Sequence, residues 1–203
     1  MRDRDQLLAA LGRGETVEYL HFWSHRRAPS GAVTKNCMSQ WYEAEFAHNG
    51  SRYLTAEHFM MARKAELFGD LATRDQILLA QDPGKAKALG RGVKNFDDTI
   101  WLQHRWDIVV EANLLKFGQR SELGHFLICT GQRVLVEASP LDAIWGIGLS
   151  ADVPEASNPE QWQGLNLLGF ALMEVRDQLR AAQVAVSSRG ESSAVPRPGN
   201  GVR

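Results

Sequence analysis

The stretch Glu137-Ala138-Ser139-Pro140-Leu141-Asp142-Ala143-Ile144-Trp145-Gly146-Ile147-Gly148 places two carboxylates, an indole and two glycines directly after an apolar run. Pro140 fixes its own φ and biases Ser139 away from helix, so the chain must leave the run as a loop. Gly146 and Gly148 remove side chains on either side of Ile147, which permits a sharp turn or a close approach to a ligand. A loop presenting Asp142 beside Trp145 offers a negative charge and a flat aromatic face together. A developing sugar cation and a nucleobase need those two things. The structural alternative is a strand-ending turn with a core Trp.

A further carboxylate lies in Thr55-Ala56-Glu57-His58-Phe59-Met60-Met61-Ala62-Arg63-Lys64. On a 3.6-residue helix Glu57 and Lys64 are about 20° apart, on one stripe with Met60 and Met61. The helix dipole favours a carboxylate in the first turn, and the methionines draw this stripe toward the core. Burial there raises the pKa of a glutamate and makes it useful as an acid or base near neutrality. Trp101 and Arg105 are neighbours on a further helix face, a platform for a base-bearing or phosphorylated ligand through stacking and bidentate oxyanion binding.

The elements that must position these residues are legible from spacing and punctuation. Asp5 to Leu11 has helical spacing, Thr16 to Trp23 reads as a strand, and His25 to Cys37 reads as a basic loop carrying Arg26, Arg27 and Lys35. Asn49-Gly50 between aromatic-rich runs predicts a hairpin. Thr55 caps a helix through Phe68, Leu71 to Ala80 forms another, and Asp82-Pro83 starts a third that reaches Leu89. Asp97 or Asp98 caps the longest helix, Thr99 to Phe117, and Ser121 caps one ending at Gly131. Arg133 to Glu137 is a strand. Leu165 to Ala182 is the last long helix, with Leu168, Leu172, Val175 and Leu179 at core spacing. The fold class expected is α+β, mainly helical, with helices around a small β-sheet. Residues 1–182 form a single domain, and 183–203, rich in Ser, Gly, Pro and Arg, form a disordered C-terminal tail.

Composition narrows the function classes. The 203 residues are 44% apolar, enough for one sizeable core, and 23 basic against 24 acidic residues leave a net charge of −1. No global field draws the chain to a nucleic-acid backbone or an anionic membrane. Its apolar runs are too short to cross a bilayer, and the charged N-terminus lacks a signal-type core, so a cytoplasmic location is expected. Cys37 and Cys129 read as reduced thiols, and the histidines lack metal-type spacing. Gly90-Arg91-Gly92 lacks the rest of a dinucleotide fingerprint or a P-loop.

Taken in order, the motifs Phe22-Trp23-Ser24-His25-Arg26, Cys37-Met38-Ser39-Gln40-Trp41, Tyr53-Leu54-Thr55-Ala56-Glu57-His58, Ala62-Arg63-Lys64-Ala65 and Leu89-Gly90-Arg91 belong to one pattern. Trp101 with Arg105, Lys116-Phe117, Thr130-Gly131, the Glu137-to-Gly148 run and Gly164-Leu165-Asn166-Leu167-Leu168-Gly169 continue it. From about residue 19 to 180 the chain resembles the NADAR (NAD- and ADP-ribose-associated) family, also called the YbiA-like N-glycosidases. The resemblance implies a mainly helical mixed fold and cofactor-free hydrolysis of a ribosyl C–N bond. Family members act on phosphoribosylamino-pyrimidine intermediates of riboflavin biosynthesis, and others remove ADP-ribose from modified guanine.

Carried over by position, the resemblance implies Glu57 and Asp142 as catalytic residues. Arg26, Lys64, Trp101, Arg105 and Trp145 would bind substrate, with no metal. The partner expected is a small ribosylated molecule. Nucleic acid enters only as an ADP-ribosylated substrate, and membranes do not enter at all. A longer, more basic entrance loop from Phe22 to Cys37 departs from the shorter Ser-Asn-Phe entrance of many relatives, which bears on substrate choice more than on reaction type. A non-catalytic ADP-ribose or NAD binder is the alternative from another class. Buried carboxylates near phosphate give such a binder no advantage.

Overall fold

A computed structural model describes residues 1–191, with side chains through 185. Among the described residues it contains seven α-helices and four short strands. Helix α1 (Arg4–Gly12) is capped by Asp3, whose carboxylate accepts the Gln6 N–H. Strand β1 (Tyr19–Phe22) leads into the basic loop and a 3₁₀ turn, Lys35–Met38. Strands β2 (Phe46–His48) and β3 (Ser51–Tyr53) form the hairpin. Asn49 and Gly50 at its tip have φ of 48° and 78°, the signs a type I′ turn demands.

Four helices follow: α2 (Ala56–Leu67), α3 (Leu71–Leu78), α4 (Pro83–Arg91) and α5 (Asp98–Gln119). The side chains of Thr55, Asp70, Asp82 and Asp97 cap them. Helix α6 (Ser121–Cys129) begins at Ser121 itself. Arg120 occupies the cap position without a side-chain bond, so the expected Ser121 cap is corrected. Strand β4 (Val134–Glu137) and helix α7 (Leu167–Glu191) complete the order. Helix α7 continues through residues 183–191, where a disordered tail was expected; the rest of that tail, 192–203, lies outside the described residues.

The expected small sheet is two separate two-stranded sheets, the β2–β3 hairpin and a parallel pair of β1 with β4. The parallel register sets Phe22 opposite Glu137, so both strands end together. Val134, Leu135 and Val136 are all buried, the unbroken apolar pattern of a strand covered on both faces. Helix α7 packs on β4 and α5, α5 packs on α2, and α2 packs on α3 and α4. Arg176 of α7, 2% exposed, ties the helix to the start of β4 by donating to Thr130 Oγ1 and the Arg133 carbonyl. The carboxyl ends of both parallel strands and the N-terminus of α2 therefore open onto one place. In open parallel sheets that edge is where ligands bind.

Candidate active site

At that edge lies a cavity of about 480 Å³, within the range of small-ligand pockets. The loop after β1 supplies Trp23, Ser24, His25 and Arg26. The segment after the 3₁₀ turn supplies Ser39, Gln40 and Trp41, α2 supplies Glu57, and α4 supplies Lys87. Glu137, Ser139, Leu141, Asp142 and Trp145 come from the end of β4 and the loop beyond it.

Glu57 is placed by a set of local bonds. Thr55 caps α2, and its hydroxyl lies 2.8 Å from His58 Nδ1, while His58 Nε2 reaches the Ala80 carbonyl at 3.2 Å. A carbonyl only accepts, so Nε2 carries the hydrogen and Nδ1 accepts from Thr55. The Glu57 N–H donates to the Gln40 carbonyl at 3.0 Å, joining α2 to the opposite wall. Its side chain is 3% exposed, and Oε1 is buried with no hydrogen-bond partner. Burial, with the Asp142 charge adding to it and Lys87 opposing it, pushes the Glu57 carboxyl up to about 7.

The wall at residues 39–41 rests on buried polar groups of α5. Lys116, fully buried, donates to the Ser39 carbonyl at 2.8 Å, and Asn113 donates to Gln40 Oε1 at 3.0 Å. Lack of water around the Lys116 ammonium lowers its pKa to about 7. Trp41 lies between His25, at 5.6 Å between ring centroids, and the Lys87 ammonium, 5.8 Å from its ring.

The loop after β4 is built around carbonyls and a carboxylate. Asp142 Oδ1 accepts the N–H groups of Ile144 and Trp145 at 2.9 and 2.8 Å, an Asx turn that fixes the indole beside the carboxylate. Its Oδ2 lies 3.9 Å from Lys87 Nζ. The Ile144 and Trp145 carbonyls accept the Leu167 and Leu168 N–H groups, so the loop caps α7. A Cβ on Gly146 would sit 2.8 Å from the Glu137 carbonyl and 2.9 Å from that of Asp142, so only glycine lets the loop close this tightly. The stretch is thus a structural turn and a cavity wall at once.

The cavity brings together Glu57, Asp142, Arg26 and Trp145 of the residues expected from sequence. Lys64, Trp101 and Arg105, expected to bind substrate, do not line this cavity. Lys64 Nζ donates to the Gly90 carbonyl at 2.9 Å and stands 4.1 Å from the Phe96 ring and 5.7 Å from that of Trp101. The reason is axial distance. Seven residues bring Lys64 back to the stripe of Glu57 but carry it about 10 Å along the helix, away from the end that opens onto the strands. Arg105, one helical turn beyond Trp101, lies on the same distant stretch of α5.

Glu137, Lys87, Trp23 and Trp41 are cavity residues to which sequence reasoning gave no role. Glu137 ends a buried strand, and its Oε2 is buried without a partner. Burial, reinforced by the charges of Asp142 and Glu57 and opposed by Lys87, pushes it up to about 8. Its position at the carboxyl end of an apolar strand was the available signal. Lys87 carried none, because its neighbours across the cavity come from segments distant in sequence. Among the described residues no three His, Cys, Asp or Glu side chains converge as metal ligands would. No helix among them is long and apolar enough to cross a membrane.

Comparison with known proteins bears on this geometry. A family model, the NADAR domain, matches residues 21–180. The chain is 42% identical over 169 residues to a protein of Acanthamoeba polyphaga mimivirus named as an N-glycosidase, an alignment covering 81% of this chain and 98% of that one. It is 31% identical over 148 residues to a protein of Vibrio vulnificus named as a riboflavin biosynthesis protein, covering 70% of this chain and 35% of that one. The NMR structure of the E. coli protein YbiA matches with a TM-score of 0.67 at 25% identity, over 84% of this chain and 89% of that one.

Proposed function

This chain belongs to the NADAR family, and from that premise we propose that it is an N-glycosidase hydrolysing the ribosyl C–N bond of a phosphoribosylamino-pyrimidine. The observation that carries the reading is the Glu57 carboxyl, buried with Oε1 unpartnered, in a cavity walled by Trp23, Trp41 and Trp145. Breaking a ribosyl C–N bond builds positive charge on the sugar. A fixed carboxylate shielded from water stabilises that charge far better than one in bulk solvent. Glu57, poised near neutrality, takes a proton from the attacking water. Asp142, held by two backbone N–H groups, adds negative charge beside Trp145, whose indole covers the sugar or base.

Arg26, exposed on the cavity wall, and Lys87 suit a phosphate on the ribose. The name of the Vibrio relative supports a pyrimidine of the riboflavin route over an ADP-ribosylated base.

The test is incubation of the purified protein with a phosphoribosylamino-pyrimidine in metal-free buffer, with products read by mass spectrometry. Equimolar ribose 5-phosphate and free aminopyrimidine are expected. Intact metabolite beside ADP-ribose released from an ADP-ribosylated oligonucleotide overturns the substrate assignment. Binding of ADP-ribose without hydrolysis of either compound overturns the enzymatic reading.

A further inference from the structure

Hydrolysis of a C–N bond poses a second chemical problem: the departing nitrogen is a poor leaving group until it is protonated. Glu57 cannot both accept the proton of the attacking water and hold one for that nitrogen in the same step. The cavity holds a third carboxyl group besides Glu57 and Asp142, that of Glu137.

We propose that Glu137 is the general acid of this site, a catalytic residue that donates its proton to the leaving nitrogen; this rests on the N-glycosidase reading.

The geometry supports the role. Glu137 closes β4 at the edge where the parallel pair opens into the cavity, and its side chain lines that cavity with Glu57 and Asp142. Oε2 is buried with no hydrogen-bond partner, which is costly for a carboxylate and tolerable for an acid that awaits a substrate acceptor. The charges acting on it are Asp142 from the following loop, Glu57 from α2 and Lys87 from α4, and His25 and Arg26 from the loop after β1 line the same cavity. The buried Arg176 of α7 lies at the opposite end of β4, engaged with the Arg133 carbonyl. Among the described residues lining the cavity the cations are Lys87 and Arg26, against three carboxyl groups, and sharing fewer protons among those carboxyls is electrostatically unfavourable. Burial, with the charges of Asp142 and Glu57, pushes the Glu137 carboxyl up to about 8, the direction that favours a group holding a proton at this position.

The step balances. The C1′–N bond breaks with its electron pair on nitrogen, which takes the Glu137 proton. Water oxygen forms the new C1′–O bond and loses a proton to Glu57. One water is consumed, and solvent exchange returns the proton from Glu57 to Glu137.

The experiment compares wild type, Glu137→Gln and Glu137→Asp on the same phosphoribosylamino-pyrimidine across pH. Glu137→Gln is expected to lower kcat by about 10²-fold or more with KM within about threefold, and to abolish the alkaline fall of the pH profile. Glu137→Asp restores part of kcat and regains an alkaline limb, and it carries the test if the Gln variant does not fold. Turnover by Glu137→Gln within about threefold of wild type, or an unchanged alkaline limb, overturns the assignment. An inactive wild type would overturn the reading beneath it, a result distinct from an active wild type with an indifferent Glu137.

Discussion

Asn166 holds Glu137 in place: its Oδ1 accepts the Glu137 backbone N–H at 2.9 Å while its Nδ2 donates to the Leu135 carbonyl, also at 2.9 Å. A single fully buried amide thus replaces a missing neighbouring strand along the outer edge of β4. The Asn166 N–H in turn donates to the Gly146 carbonyl at 3.0 Å, so one residue joins the strand that carries Glu137, the loop that carries Asp142 and the start of α7. Its φ of 54° is a conformation that asparagine tolerates and most side chains do not.

Asn166→Ala strands a buried N–H and a buried carbonyl and forces alanine into the left-handed region. At about 1–3 kcal/mol for each unsatisfied group, the loss is about 2–6 kcal/mol. For a chain of this length, thermal melting should show a midpoint lowered by about 5–15 °C. A midpoint equal to wild type would show that β4 needs no such clamp.

The pH profile follows from the two raised carboxyls. Glu57 acts ionised, so kcat/KM rises with pH through about 7. Glu137 acts protonated, so the rate falls as pH passes about 8. The two groups interact, and the measured values belong to the pair. Steady-state kinetics should give a narrow bell with its maximum between those two values. A rate still climbing past the upper value contradicts the assignment.

Lys87 lowers both carboxyls, so removing its charge should move both limbs of the profile toward alkaline pH. Lys87→Met is therefore expected to shift the acidic limb up by about one unit and to weaken binding of the phosphorylated substrate. Movement of that limb toward acid would contradict the placement of Lys87.

Much of this fold is written in local chemistry. Thr55, Asp82-Pro83, Asp97 and Asn49-Gly50 mark element ends because a cap or a type I′ turn depends on residues within three positions. Glu57 was legible for the same reason, through its helical stripe, and Asp142 through the proline and glycines around it. Lys87 and Glu137 come to line one cavity only when α4 and the end of β4 are brought together by the folded chain, an encounter no local pattern encodes. Lys64 lies outside the cavity lining; an angular projection shows which side of a helix a residue faces and hides how far along the axis it lies. The continuation of α7 past residue 183 was hidden by composition, which carries no information about a helix already nucleated by a packed N-terminal half.

The same carboxyls should cost stability at alkaline pH. Each ionises near its ordinary 4.5 in the unfolded chain and near 7 or 8 when folded, so the unfolded chain releases its protons first. Stability is therefore complete below about 4.5 and is lost as pH rises through the folded values. Glutamine cannot ionise. Relative to wild type, Glu57→Gln and Glu137→Gln should gain at least ~1 kcal/mol between acid and alkaline pH, about 2–4 °C in melting midpoint for a chain of this length. A difference from wild type that does not change with pH would contradict the burial of ionisable groups at these positions.

The most direct test is the kcat of Glu57→Gln, followed as ribose 5-phosphate release from a phosphoribosylamino-pyrimidine near the optimum pH, with an intact melting transition to show folding. A buried carboxylate that activates water and steadies the sugar cation predicts a loss of about 10²–10⁴-fold with little change in KM. Turnover within about threefold of wild type would contradict the account at its centre.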